Sequence, residues 1–555
     1  MRRLDVAWLL LWGVLSSVWC LSAARDLSAG FDEPYYLRWG LESFRNGSNQ
    51  QLMRAGTMPL PVDVEYLPIY LWERHRGEPF DVDRDFHQIL PYARAMNLLF
   101  WWILLIYGML VARTFGGPWA GRFAVVLIAT EPSILGHTCL ATTDISVTGL
   151  VLAFAYHYYH GRDASRVRRW LIPGILYGVA TAAKASALTF VPLVMLAFEI
   201  PRLYVAGAFK PPPGVGRIRH LWRASSQFRW DCAKVLLVGT VVVWTYCGCD
   251  WTTQGSFVKL ADNLPDDQFG TPAIRWLAHN LKVFPNAGEA FAYQIKHNMR
   301  GHPSNTLGVW YPRSIWYHFP LLLTIKLSLA TLVLAAGLLF GRPRSLATPI
   351  GLAALLFLLF SLNCRVQIGI RLVFPLVAIV LVALASGLGR AIEGLSESKK
   401  GVFLVVFAAV FAFPAIRTWP DGIRYVNVLW GGPDEAYPLL ADANYDWGQG
   451  LKDLDQWTAE HELPTAKVWY YGMDPVIGKD PNRLLALHDP LVYPTATSAD
   501  VWKHVRGKVV AVGMSLRYGY PGLTSSMPAV LEFFDGQEPI GRTRTFLVYD
   551  FRNVP

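Results

Sequence analysis

The sequence predicts an α-helical polytopic membrane protein of about 11 transmembrane helices, carrying a small C-terminal soluble α/β domain. Three observations lead there. Apolar runs able to cross a bilayer recur from residue 7 to residue 416, basic residues collect in alternate breaks between them, and beyond residue 416 the pattern changes to short strands and amphipathic helices. Composition agrees: with 53% hydrophobic against 17% charged residues, 22 Trp and a mean hydropathy of +0.28, the chain is too apolar and aromatic for a soluble protein.

A membrane-crossing helix needs roughly 20 predominantly apolar residues, fewer where its ends are embedded. Candidate runs lie near 7–24, 94–112, 122–137, 144–160, 170–184, 186–200, 234–249, 318–340, 347–362, 372–389 and 401–416. The third and fourth, and the fifth and sixth, are separated by very short breaks. The first run, with MRR before it and SAA at 22–24, also fits a cleaved leader, but its apolar core is long for one.

Orientation follows from the basic residues. With the N-terminus inside, the inner breaks carry Arg2 and Arg3, Arg113 and Arg122, Arg162 through Arg169, Arg202 through Lys234, Arg342 and Arg344, and Arg390, Lys399 and Lys400. This is the positive-inside pattern, so topology explains the formal charge of +10 better than nucleic-acid binding does. The stretch GAFKPPPGVGRIRHLWRASSQFRW suits an anionic lipid surface, although topology alone accounts for its charges. An odd number of spans then places loop 25–92, loop 250–317 and the tail 417–555 on the extracytoplasmic side.

The first outer loop mixes acids, aromatics and prolines, which predicts short helices along the membrane surface. The second ends in GHPSNTLGVWYPRSIWYHFP, whose Trp and Tyr read as an interfacial belt. In the tail, AKVWYYGM, KVVAVGMSL and TRTFLVYDF read as strands, and LKDLDQWTAEHE and ADVWKHV as helices. The expected division is therefore a transmembrane domain over 1–416 and an α/β domain over 417–555. Six Cys lie mostly in or beside apolar runs without zinc spacing, so no disulfide framework is expected.

Charged residues at the outer ends of apolar runs carry the functional signal. Asp32 and Glu33, in FDEPYY, follow the first run directly, where ordinary solvated loop acids are the bland reading. Asp144, in ATTDISVTG, opens the fourth run. An ionised carboxylate costs about 2.5 to 3.5 kcal/mol at a helix centre, yet at a helix N-terminus it can cap and complement the dipole. Glu131 and His137 sit at the same level. Lys184, Arg365 and Arg371 are cations on the side that the inside rule disfavours. They call for an anionic partner, either a phosphate, which Arg matches bidentately, or the acids just named; snorkelling is the further alternative. In ADANYDWGQGLKDLDQW, Asp446 reads as a helix N-cap and Trp447 as core. No Walker loop, G-x-G-x-x-G, H-E-x-x-H or G-x-S-x-G is present.

The acidic pair in the first outer loop, ATTD, GVATAAKASAL, GHPSNTLG and GGPDEAYPLLADANYDWGQGLKDL occur in an order that resembles the GT-C fold membrane glycosyltransferases, specifically the bacterial glycosyltransferase family 39-like proteins related to protein O-mannosyltransferases and the aminoarabinose transferase of lipid A. The resemblance implies inverting transfer of a sugar from a polyprenyl-phosphate donor to a lipid, glycan or protein acceptor at the extracytoplasmic face of a bacterial inner membrane. It implies Asp32 as catalytic base, with Glu33 able to share the task, Asp144 as an acceptor- or metal-binding acid, and Lys184, Arg365 and Arg371 as donor-phosphate ligands. Glu131, His302 and Asp446 are further candidates. A divalent cation between Asp32 and Asp144 is compatible with the pattern, but no fixed ligand set requires one. The histidine–proline–proline run frequent in the first outer loop of relatives is replaced here by VEYLPIYLWE. A transporter or flippase of a lipid-linked or anionic substrate is the rival reading; it predicts internal repeats and midplane charges, whereas no repeat is visible and the charges gather at one face.

Overall fold

The computed structural model describes residues 3–249, 251–283, 286–480, 482–485, 487, 497–519 and 528–553. The chain is mainly helical. Among the described residues six helices are long and apolar enough to cross a membrane: Arg3–Asp26, Phe86–Ala129, Ala187–Val205, Ser226–Cys247, Ile370–Ala391 and Glu397–Thr418. A seventh span results if His318–Lys326 and Leu329–Gly341, bent by 113° at a short break, are counted as one.

The difference from eleven runs has a physical reason, because hydropathy finds apolar stretches but not where helices break. Most of run 94–112 and the first half of run 122–137 fall in one helix, Leu98–Ala129, and the rest of the second run forms the short helix Pro132–Thr138. The long helix is kinked where Gly117 takes φ 77° ahead of Pro118. That conformation suits glycine, and proline removes the next ladder donor. The run at 170–184 yields only Ile172–Ala183 after a π turn, and the run at 347–362 gives the 13-residue Pro349–Ser361. Asp144–Gly161 is buried along most of its length, so the bundle itself supplies its apolar surroundings.

The span Ile370–Ala391 is the central one, with 89% of its apolar window buried against 28–50% for the other five. It packs along Leu98–Ala129, which also contacts Arg3–Asp26 and Asp144–Gly161. The first helix is tied in through Trp101 Nε1 to Ser16 Oγ (3.0 Å) and Trp19 Nε1 to the Ala415 carbonyl (3.1 Å). At the end of the bundle where the basic breaks lie, several arginines are paired in the interior: Arg122 with Asp5 at 2.8 Å, Arg169 with Asp231 at 2.7 Å, and Arg162 with Glu199 and Asp231.

Loop 25–92 folds into the helices Glu33–Asn46, Gln50–Arg54 and Pro59–Arg76 and the start of Phe86–Met96. In the tail, strands β1 (Lys467–Trp469), β2 (Val509–Gly513), β3 (Gly541–Arg542) and β4 (Phe546–Asp550) form a sheet of order β1-β2-β4-β3. β1 and β2 are parallel, and the other pairs antiparallel. The three predicted strands are all present, and Leu451–Glu460 is the predicted amphipathic helix. The tail docks on the residues just after the first span: Phe31 N donates to the Trp447 carbonyl (2.9 Å), Lys452 N to Ser28 Oγ (2.7 Å) and Ala29 N to Asp474 Oδ2 (3.1 Å).

Candidate active site

Four predicted residues come together: Asp32, Asp144, Lys184 and Arg371. Asp32 ends the turn before Glu33–Asn46, whose Pro34 lies in the first turn, where a missing N–H costs nothing. Its Oδ2 accepts from Arg371 Nη1 at 2.8 Å and lies 3.4 Å from the Tyr36 hydroxyl, one turn along. The Asp32 side chain is 23% exposed, whereas that of Asp144 is 0%. Asp32 is thus the open carboxylate of the pair.

Asp144 is the first residue of its helix, and the N-cap is Thr143, whose side chain makes no capping hydrogen bond. The Asp144 carboxylate accepts from Lys184 Nζ, and its Oδ2 lies 3.7 Å from Arg371 Nη1. The helix N-terminus still favours the charge. Lys184 stands where Ile172–Ala183 ends, in extended conformation, so the carbonyl end of that helix also favours its ammonium. Arg371 lies in the 3₁₀ turn Ile370–Val373 at the head of Phe374–Ala391, with its guanidinium 4.0 Å over the Trp447 ring. Ala443 presses on this turn so closely that a Cβ at Gly369 would meet its methyl at 2.9 Å. Asn444 Oδ1 accepts from Ile370 N at 2.9 Å. The tail therefore supplies both the platform and the wall of the arginine.

Glu33 faces the other way and is completely buried. Oε1 accepts from Arg94 Nε (2.8 Å) and Ala141 N (2.8 Å), and Oε2 from Arg94 Nη2 (2.7 Å) and Gly30 N (2.7 Å). Arg94 also donates to the carbonyls of Ala24 (2.6 Å), Leu27 (3.0 Å) and Ser28 (2.7 Å). This clamp joins the end of the first span to the segment before Asp144, and it leaves Glu33 no free oxygen.

No protein-family model matches the chain, and no curated protein matches it. Solved structures with overall similarity include ArnT from Cupriavidus metallidurans in the apo state, 13% identical, with 98% of this chain and 97% of that chain covered at a TM-score of 0.45. ArnT bound to undecaprenyl phosphate gives the same identity and shares at 0.44. The Archaeoglobus fulgidus oligosaccharyltransferase in the apo form is 15% identical over 79% of this chain and 58% of that chain, at 0.42.

The remaining candidates stand apart from the four. Arg365 is exposed, and among the described residues it has no carboxylate within ion-pair distance; its carbonyl accepts from His302 N at 2.9 Å. His302 Nδ1 lies 2.6 Å from the Pro303 carbonyl. Glu131 is buried and interacts with Lys326, whose Nζ donates to the carbonyls of Ile423 (2.6 Å) and Asn444 (2.8 Å). Asp446 is not the N-cap of Leu451–Glu460, since Gly450 takes that place. It is buried and accepts from Ser515 N (3.0 Å) and Gly448 N (3.2 Å), fastening the Trp447 turn to the sheet domain. Burial raises its carboxyl to about 7. Burial also pushes the Tyr36 phenol well up, and Asp32 adds to that.

Among the described residues no group of three or more His, Cys, Asp or Glu side chains could hold a metal ion. The two site carboxylates already have Arg371 and Lys184 as counter-charges, and a divalent cation between them would have to displace the guanidinium. The residues as arranged do not fit a resident metal.

Arg94, Tyr36 and the platform role of Trp447 were not assigned from sequence. Arg94 carries the same signal as Lys184, a cation at the outer end of an apolar run, and Tyr36 lies at i+4 from Asp32. For Trp447 the sequence holds no pointer to Arg371.

Proposed function

We propose that the protein transfers a sugar from a polyprenyl-phosphate-linked donor to an acceptor hydroxyl or amine at the extracytoplasmic face, with inversion at the anomeric carbon. The observation that carries this reading is the row Asp32–Arg371–Asp144–Lys184, in which two carboxylates alternate with two cations and the part-exposed one, Asp32, pairs with Arg371. Arg371 and Lys184 take the donor phosphate, and Arg365 offers a further cation outside the ion-paired row. An arriving phosphate competes with Asp32 for Arg371, so donor binding releases Asp32 to act as a base. The acceptor then gives its proton to Asp32 and forms a bond to the anomeric carbon as the carbon–oxygen bond to phosphate breaks. The polyprenyl phosphate leaves with its new charge held by Arg371 and Lys184. Asp144 keeps the two cations in place, Glu33 fixes the backbone that presents Asp32, and the energy comes from the donor bond, so no nucleotide loop is needed.

The test is to supply the purified protein with radiolabelled polyprenyl-phosphate sugars and lipid, glycan or peptide acceptors. Wild type consumes donor, and Asp32→Asn does so about 10²- to 10⁴-fold more slowly. No donor consumption by wild type, or equal rates for the variant, would overturn the proposal.

A further inference from the structure

Between the spans Ala187–Val205 and Ser226–Cys247 the chain forms a short connection containing the helix Arg217–Ala224. No acid occurs between Glu199 and Asp231, while Lys210, Arg217, Arg219, Arg223 and Arg229 do. Among the described residues none of the five has a carboxylate within ion-pair distance, unlike Arg162 and Arg169 of the neighbouring break. On the helix, Ile218, Leu221 and Trp222 share one face at i, i+3 and i+4, and Arg219, His220 and Arg223 lie opposite. Most of the apolar face is bare: Ile218 is 86% and Trp222 63% exposed, with Leu221 half-buried between them. Val205 at the end of one span and Trp230 at the start of the next are also strongly exposed, at 86% and 66%. Arg229 lies 3.6 Å over the Trp222 ring and donates to Ser225 Oγ at 2.7 Å, which holds cation and aromatic together.

The inside rule asks only for charge; it does not ask for an exposed apolar stripe beside it. Two flanking spans leave this helix at the membrane surface. An amphipathic helix with arginines on its polar face and Trp and Ile on the other lies in the headgroup layer, apolar side down. We propose that residues 204–230 form a docking surface for anionic phospholipid headgroups of the leaflet at which these two spans emerge. Ile218, Leu221 and Trp222 enter the acyl boundary, and Arg217, Arg219 and Arg223 hold phosphates. This proposal is independent of the transferase reading.

The test uses full-length protein, one copy per nanodisc, in phosphatidylcholine alone or with about one third phosphatidylglycerol, followed by hydrogen–deuterium exchange of peptides covering 204–230. Phosphatidylglycerol is expected to slow amide exchange over 216–225, and high salt to reverse the effect. Each Arg→Gln change removes about fivefold in anionic-lipid preference at low salt, so the triple variant Arg217→Gln, Arg219→Gln, Arg223→Gln loses the protection. Ile218→Ser with Trp222→Ser loses it as well. Unchanged exchange of the 226–247 span in each variant shows that the fold is intact; if the span loosens, single Arg→Gln variants are read in its place. Equal exchange in both lipid compositions, or protection that survives both salt and the arginine variants, would overturn the proposal.

Discussion

Asp32 and Glu33 are adjacent acids with opposite surroundings, and exchanging Glu33 for Gln separates their roles. In wild type each Glu33 oxygen accepts one Arg94 N–H and one backbone N–H, at 2.7–2.8 Å. A Gln side chain presents an NH₂ group to one such pair, so two donors that were bonded now face a donor, and the buried Arg94 loses its counter-charge. Removing one partner of a buried pair costs about 3–5 kcal/mol, and leaving backbone donors unmet adds to that. Thermal unfolding in detergent, followed by tryptophan fluorescence, should show Glu33→Gln melting well below wild type. Activity should fall only in proportion to the folded fraction. Asp32→Asn should do the reverse. Its side chain is part-exposed and its arginine has Asp144 and Trp447 as further partners, so stability falls less than in Glu33→Gln while transfer is lost. A Glu33→Gln variant that is as stable as wild type yet inactive would refute this division of labour.

Three further outcomes follow from the same geometry. Arg371→Lys keeps the charge but loses the planar stacking on Trp447 and the Nη1 position between Asp32 and Asp144; donor KM should rise at least about tenfold, measured by steady-state kinetics with varied donor. Trp447→Leu removes the platform, worth about 0.5–2 kcal/mol for the cation–π contact, and should weaken donor binding with little effect on acceptor KM. Asp446 supplies a pH dependence. Its folded-state value near 7 lies above the ordinary 3.8, so the folded protein holds the proton more tightly. The associated stabilisation is complete below about pH 4 and is lost as pH rises through about 7. Melting temperatures recorded across this range should fall with pH in wild type and do so less steeply in Asp446→Asn.

The site was legible where a residue broke a rule of its own neighbourhood. Asp144 opens an apolar run, Lys184 and Arg371 are cations at ends where cations are disfavoured, and the structure brings these three to Asp32. Arg365 breaks the same rule but stays exposed and outside the row, because it lies in the irregular stretch between Pro349–Ser361 and Ile370–Val373, whose path an apolar run does not specify. The split between Asp32 and Glu33 depends on Arg94, 61 residues from Glu33, and on backbone N–H groups at Gly30 and Ala141, which no local pattern specifies. The span count behaves similarly. A hydropathy run records apolar length, whereas the breaks at Gly117 and Leu327–Ser328 divide or bend that length into pieces that only the surrounding bundle accommodates.

These two gaps in legibility meet at one place. The bent pair His318–Lys326 and Leu329–Gly341 carries Lys326 in the turn before its break, and Lys326 donates to the carbonyls of Ile423 and Asn444. Asn444 in turn accepts from the backbone of Ile370, next to Arg371. The break therefore does more than shorten a span. It delivers a buried ammonium to the tail segment that walls the site, and a straight helix continuing through Leu327 and Ser328 would not hold its pieces at the same angle to that segment. Lys326→Met tests this link: it preserves length and apolar packing but releases two carbonyls, so donor affinity should weaken together with stability, even though the residue lies outside the Asp32–Arg371–Asp144–Lys184 row. Loss of stability with donor KM unchanged would mean that the tail holds Arg371 without help from the bent helix.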